Sequence, residues 1–263
     1  MTAELKGQVD TITGGVTPNF VPTVLTMPNT YIYHKPSSGY AYMQLNSFPS
    51  NAPFNITAFR QALNYATDKA YLASVVSSGY DVLGQPLIPT SDPLWRNDST
   101  PGYSYNPQKA MALIQAIPGM TNHSGVWYYN GNPVKANIQI TSAASNPIGV
   151  EGALLIQKWW TAIGVPTTVT QETFTTLVPN LLDYNYNVIS LGITGISGDP
   201  TGDYLVFYNQ ALGNNTGFYL GPFTSLTAAQ AQSGECFLCN CCWNTYCSPP
   251  FLDKQRPFDS DWV

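Results

Sequence analysis

The chain has 263 residues, 44% of them hydrophobic, which is enough to bury a substantial core in one large domain or two small ones. Only 10% of its residues are charged, against roughly 25% in an average soluble domain, so Ser, Thr, Asn, Gln, Tyr and Gly must supply most of the polar surface. Ten Lys and Arg against fifteen Asp and Glu leave a formal net charge of -5 with no basic cluster, which excludes the electrostatic footprint of a nucleic-acid-binding protein.

In chain order, Thr2 to Lys6 has a short helical pattern, Val9 to Ile12 reads as a strand and Pro18 to Leu25 as another short helix. Tyr31 to His34 and Tyr40 to Asn46 are aromatic and β-branched runs separated by Pro36-Ser37-Ser38-Gly39, a pattern that predicts a hairpin. From Asn55 the apolar period changes to 3.6, with Ile56, Phe59, Leu63 and Ala66 on one helical face. A second helix is expected from its cap Asp68 to Gly79. A third opens at Asn106-Pro107, carries Lys109 to Ile117 and stops at Pro118-Gly119. His123 falls in the loop that follows.

The alternation of Ala136, Ile138 and Ile140 predicts a strand, and Asn146-Pro147 opens a helix with Ile148, Leu155 and Trp159 along one stripe, closed by Gly164. A strand over Val165 to Thr170, a helix over Thr173 to Leu182, an apolar strand over Val188 to Ile193 and a helix near Asp199-Pro200 complete the pattern. Alternating strands and helices over residues 136 to 210 imply a parallel or mixed α/β sheet.

The chemistry of an enzyme is missing from the pattern. His34 and His123 stand far apart and outside any metal-ligand spacing, and Gly195-x-Ser197-Gly198 lacks the final glycine of a nucleophile elbow, having Asp199 there. There is no phosphate-cradling loop or dinucleotide fingerprint, so no cofactor is expected. All five cysteines lie between Cys236 and Cys247. Cys236, Cys239, Cys242 and Cys247 could hold zinc or pair into disulfides, but the spacing is crowded and Cys241 directly precedes Cys242. The reading preferred here is that residues 228–263, where composition changes and periodicity vanishes, stand outside the fold. Four Asn-x-Ser/Thr sequons, at Asn55, Asn97, Asn122 and Asn214, are sites where glycans could attach to an exported chain. No apolar run approaches the roughly 18 residues of a membrane span, and the N-terminus has no signal-peptide pattern.

An ordered series of segments resembles the extracytoplasmic solute-binding proteins of family 5. Leu5 to Asp10 resembles that family's Leu-x-x-Gly-x-x-Asp element with one spacer fewer. Phe59-Arg60-Gln61-Ala62-Leu63-Asn64-Tyr65-Ala66-Thr67-Asp68-Lys69 is similar to its most recognisable helix, which Tyr40 to Asn46 precedes as a strand. Gly84 to Pro89, Tyr105-Asn106-Pro107-x-Lys109-Ala110, Ile156-Gln157-x-x-Trp160-x-x-x-Gly164-Val165 and Thr194-Gly195-x-x-Gly198-Asp199-Pro200 extend the match across about 200 residues.

The resemblance implies an α/β, type II periplasmic-binding-protein fold and the capture subunit of an ABC importer, not an enzyme. Its partners would be a peptide or oligosaccharide and ABC permease subunits in the membrane. It implies that residues 1–50 are the end of a first lobe with the inter-lobe strands, and 51–227 most of a second lobe. It also implies an internal piece of a longer extracellular, membrane-associated protein whose signal and anchor lie outside this chain. A receptor or scaffold relative without transport, and a nonfunctional fragment of the same fold, are the alternatives.

Ligands of open α/β sheets sit beyond the carboxyl ends of strands, which directs attention to the loops after 136 to 141 and 188 to 193. Dipeptide-binding members hold the peptide termini there with an Arg and an Asp; this chain has Ala143 and Ser145 in the first loop and Ile196 in the second. The remaining candidates are Ser142, Ser145, Asn146, Thr194, Ser197 and Asp199, with Trp95 and Tyr204 as aromatic platforms. Such a neutral hydroxyl and amide set suits a sugar oligomer or a peptide gripped by its backbone.

Overall fold

The computed structural model describes residues 18–33, 39–46, 49–83 and 102–193, with 16, 93, 94 and 97 as isolated positions. The elements expected before residue 16 and near Asp199, and the cysteine segment, lie outside the described residues. A 3-10 turn at Pro18–Phe20 leads into α1 (Val21–Leu25). There follow β1 (Tyr40–Leu45), α2 (Thr57–Tyr65), the single turn α3 (Lys69–Tyr71), α4 (Pro107–Gln115) and the short strands β2 (Met120–His123), β3 (Val126–Tyr129) and β4 (Asn132–Pro133). The α/β unit is β5 (Ala136–Thr141), α5 (Pro147–Ala162), β6 (Thr167–Glu172), α6 (Phe174–Leu182) and β7 (Val188–Ile193).

Alternation decides the two faces of β5. Ala136, Ile138 and Ile140 turn to one side, where they join Val188 of β7 and Met43 and Leu45 of β1 in the main core. Helix α5 lays Val150, Ala153, Ile156 and Trp160 on that core, a spacing that keeps them on one face of the helix. The other face of the sheet is covered by α6, whose Leu177 and Leu181 cluster with Tyr186 and Ile189.

The sheet has the order β1-β7-β5-β6. Strand β5 is parallel to both β6 and β7, with Thr141 opposite Glu172 and Gln139 opposite Ile189, whereas β1 closes the edge antiparallel to β7, Gln44 opposite Ile189. The chain thus leaves β5 in one direction to form β6 and returns past it to form β7. Right-handed crossovers that move in opposite directions place their helices on opposite faces, which accounts for the positions of α5 and α6.

Three expectations need correction. Tyr31 to Tyr33, the described part of the first run, do not pair with Tyr40 to Asn46: they belong to no strand, Tyr31 and Tyr33 are 92% and 88% exposed, and β1 pairs with β7 instead. The long-range partner wins because it buries Tyr42, Met43 and Leu45, which a two-stranded hairpin would leave wet. The helix after Asp68 begins as expected, with the Asp68 carboxylate accepting from Tyr71 N–H at 2.9 Å, but widens into a π-turn at Leu72–Val76. His123 lies in β2, and residues 120 to 133 form a three-stranded sheet. The overlooked signal is Asn130-Gly131, which turns β3 into β4 with φ values of 48° and 81°, the conformation that such a dipeptide favours between strands.

The helical layer is tied by polar contacts that the resemblance motif supplies. Arg60 is buried and donates to Phe54 O at 3.0 Å and Thr57 Oγ1 at 3.1 Å, while Trp160 Nε1 donates to Thr67 Oγ1 at 3.0 Å across 93 positions. Lys69 is also buried, its ammonium 5.5 Å from the Tyr103 ring centre. Burial lowers its pKa from 10.5 to about 8. Between those two values the unfolded chain binds the proton that the folded chain has released, so stability rises with pH there, and the full cost of the buried charge is present below about pH 8.

Two outcomes test this arrangement. Relative to the parent, Lys69→Met should lose stability as pH rises from 8 toward 10.5 in a series of urea titrations; a difference that is constant with pH contradicts the assignment. Ile140→Ala, which opens a void between β5 and α5, should cost about 2–5 kcal/mol in the same measurement.

Candidate functional site

Strands β5, β6 and β7 run the same way, so their carboxyl ends open on one edge of the sheet. The connection reverses at β5, and the crevice between strands whose crossovers depart in opposite directions is where open α/β sheets leave room for a ligand. Tyr40 and Ala41 of β1 reach the same edge, because Tyr40 pairs with Ile193 and Ala41 with Gly192. Ala41 and Gly192 are both exposed, so this part of the edge carries little side-chain bulk and lets another molecule approach the backbone.

The turn after β5 is built around one carbonyl. Ser142 O accepts from Ser145 N–H at 3.0 Å, from Asn146 N–H at 2.9 Å and from Ser145 Oγ at 3.0 Å. Ser142 N–H donates to Glu172 O at 3.0 Å, and Ala143 N–H to Gln171 Oε1 at 2.8 Å, which ties the turn to the tip of β6. Asn146 then caps α5, its Oδ1 accepting from Gly149 N–H at 3.0 Å, with Pro147 at a position where the missing N–H costs nothing. Ser142, Ser145 and Asn146 are therefore held together in one turn. Of their side-chain oxygens, Ser145 Oγ and Asn146 Oδ1 have structural partners, while Ser142 Oγ bonds to no described residue.

The tip of β6 adds residues that the sequence reading did not single out. Glu172 Oε2 accepts from Asn180 Nδ2 at 2.9 Å, which ties the carboxylate to α6. Phe174, the first residue of α6 and two positions after Glu172, is 65% exposed. The signal for both was positional: they follow the parallel strand next to β5, which the periodicity had ended at Thr170. Thr194, Ser197, Asp199, Trp95 and Tyr204 lie outside the described residues, as do Cys236, Cys239, Cys242 and Cys247. Among the described residues no three His, Cys, Asp or Glu side chains gather where they could hold a metal ion, and no helix is long and apolar enough to cross a membrane.

A doubly wound sheet with an antiparallel edge strand and a crevice at its switch point defines the class: an α/β lobe of the type II periplasmic-binding-protein fold. Residues 1–215 match the family described as bacterial extracellular solute-binding proteins, family 5 middle, and the chain belongs to that family. It is 33% identical over 197 residues to heme-binding protein A of Haemophilus influenzae, a match that covers 72% of this chain and 32% of that protein. It is 27% identical over 160 residues to the dipeptide-binding protein of Escherichia coli, covering 60% and 28%. The chain thus spans about a third of the length of the curated relatives it matches.

Among solved structures, the oligopeptide-binding protein AppA of Bacillus subtilis in complex with a nonapeptide superimposes with a TM-score of 0.67 at 20% identity, covering 82% of this chain and 42% of that one. A mannohexaose-bound periplasmic oligopeptide-binding protein of Thermotoga maritima gives 0.62 at 17% identity, covering 81% and 41%. At these identities the two structures bear on the fold alone.

The Asn146 cap carries a direct test. Asn146→Ala should lower stability by about 0.5–2 kcal/mol, read by urea unfolding, whereas Ser145→Ala, which removes one exposed hydroxyl bond, should stay within about 0.5 kcal/mol of the parent.

Proposed function

We propose that this chain forms part of the solute-capturing subunit of an ABC importer, acting outside the cytoplasmic membrane, and that the edge formed by the tips of β5, β6 and β7 walls its ligand cleft. In this reading residues 1–50 include the end of a first lobe with the inter-lobe strands, and 51–227 belong to a second lobe that closes against it. The protein docks on permease subunits, the whole molecule is held at the membrane surface, and it binds and releases its cargo without making or breaking a bond.

The observation that carries the reading is the reversal at β5, which sets the neutral Ser142–Asn146 turn beside the end of β7. Ser142, Ser145 and Asn146 line the cleft from the end of β5, and Thr194, Ser197, Asp199, Trp95 and Tyr204 are its further proposed contacts. Ala143 and Ser145 leave the first loop without the guanidinium that would clamp a dipeptide carboxylate. The ligand is therefore a neutral oligosaccharide, or a peptide longer than two residues held by its backbone. Phe174 offers a face on which a sugar ring can lie. The mannohexaose-bound and nonapeptide-bound proteins of the same fold are relatives whose cargoes have this chemistry.

Calorimetric titration with neutral oligosaccharides of two to eight units, peptides of two to nine residues and heme separates the possibilities. Binding of the longer sugars or peptides without binding of dipeptides is expected, and Ser142→Trp, which fills the edge, should weaken it at least tenfold with an unchanged melting temperature. A preference for dipeptides or heme overturns the ligand class; affinity unaffected by Ser142→Trp overturns the site.

A further inference from the structure

Of the sequence motifs that capture of a solute does not use, the sequons are the clearest, and the structure treats two of them differently. Asn122-His123-Ser124 crosses the tip of the β2–β3 hairpin: Asn122 and His123 end β2, Ser124-Gly125 form the two-residue turn, and His123 pairs with Val126. Asn122 and Ser124 are exposed, and a side chain added at Gly125 would meet nothing within 4 Å, so the outer side of the tip is open, while the Gly125 carbonyl lies against Gly164 on the inner side. Asn122 Oδ1 accepts from Gly125 N–H at 3.0 Å. That bond fixes the carboxamide plane and leaves its nitrogen, which bonds to no described residue, directed to other use.

Asn55-Ile56-Thr57 has the opposite character. Asn55 is half-buried with Oδ1 fully enclosed, and the Thr57 hydroxyl already accepts from Arg60 Nη2 at 3.1 Å at the start of α2. The hairpin, by contrast, is anchored from behind: Trp127 N–H donates to Gly164 O at 3.0 Å and Trp127 Nε1 to Ile163 O at 2.7 Å. A substituent on its outer tip disturbs neither bond.

We propose that Asn122 is an N-glycosylation site of the exported protein and that Asn55 is not. The proposal rests on the extracytoplasmic location given above. The reaction joins Asn122 Nδ2 to the anomeric carbon of a lipid-phosphate-linked oligosaccharide; the bond from that carbon to the phosphate oxygen breaks, the lipid phosphate leaves with the bonding pair, and the amide nitrogen loses one proton. The position suits a capture protein. Asn122 lies at the end of the lobe where α5 finishes and the Ser142–Asn146 turn where α5 starts; sixteen residues of helix separate them by about 24 Å. The glycan shields the outer end and leaves the cleft open.

The test uses protein recovered from the cells that naturally produce it, fractionated into surface and cytosolic pools, with peptides read by mass spectrometry. The peptide containing Asn122 should carry a hexose-containing mass and the one containing Asn55 should not. Ser124→Gly removes the sequon but keeps the Asn122 bond and suits the φ of 51° at this position. It should therefore lower the intact mass by one glycan while the chain still reaches the surface and melts as a folded protein. Surface protein with an unmodified Asn122, or an intact mass indifferent to Ser124→Gly, overturns the proposal and leaves the location standing. Protein confined to the cytosol overturns the location, and the proposal with it.

Discussion

The architecture hangs on the burial of β5 between two parallel neighbours. Ala136, Ile138 and Ile140 can be dry only if a helix covers one face, and Gln139 only if something covers the other. The chain meets both demands by leaving β5 toward β6 under α5 and returning to β7 under α6. Because crossover handedness is fixed, that choice also decides where the sheet has its gap. The crevice is thus a by-product of covering a central strand.

The second face of the sheet is built on different chemistry from the first. Under α5 the core is apolar, with Gln157 Nε2 donating to Thr167 O at 2.9 Å at its border. Beneath α6, Gln44 Nε2 donates to Tyr186 Oη at 2.7 Å, Gln139 Nε2 to Asn185 O at 3.1 Å, and Asn46 Nδ2 to the carbonyls of Tyr184 and Tyr186 at 2.9 and 2.8 Å. Asn137 Oδ1 accepts from Thr168 and Thr170 along the exposed side of the same face. These amides read the path of the 183–187 loop and so set the register in which β7 enters, a task for which non-directional apolar packing is poorly suited. Tyr184 sits in this loop with φ at 56°, and burial pushes its phenol pKa up.

Local signals were the readable part of the sequence. Asn106-Pro107 and Asn146-Pro147 announced helix starts that the structure realises with Asn side-chain caps at 2.9 and 3.0 Å, and the period-2 run from Ala136 predicted β5 to the residue. From these the Ser142–Asn146 turn could be named as a site candidate. What stayed hidden depends on distance in sequence. Nothing local in Tyr40–Leu45 says that its partner is Val188–Ile193, so the neighbouring aromatic run looked like the natural match. Gln171, Glu172 and Phe174 were passed over for a related reason: an exposed polar strand end has no periodicity of its own, and only its place beside β5 makes it part of the edge. The Asn130-Gly131 turn was legible, preceded as it is by the aromatic and β-branched run Val126 to Tyr129, and went unread.

Strand β1 and its anchors carry a consequence for biosynthesis. The Gln44 to Tyr186 bond spans 142 positions, and at about 5–20 residues per second a ribosome needs roughly seven to thirty seconds to make the stretch between them. Through that interval Tyr42, Met43 and Leu45, all enclosed in the finished protein, have no strand to lie against and present an adhesive ribbon to other chains. The nascent polypeptide gains this sheet edge late, whereas the β5–α5–β6 unit has its partners close in sequence and can assemble while translation is still under way.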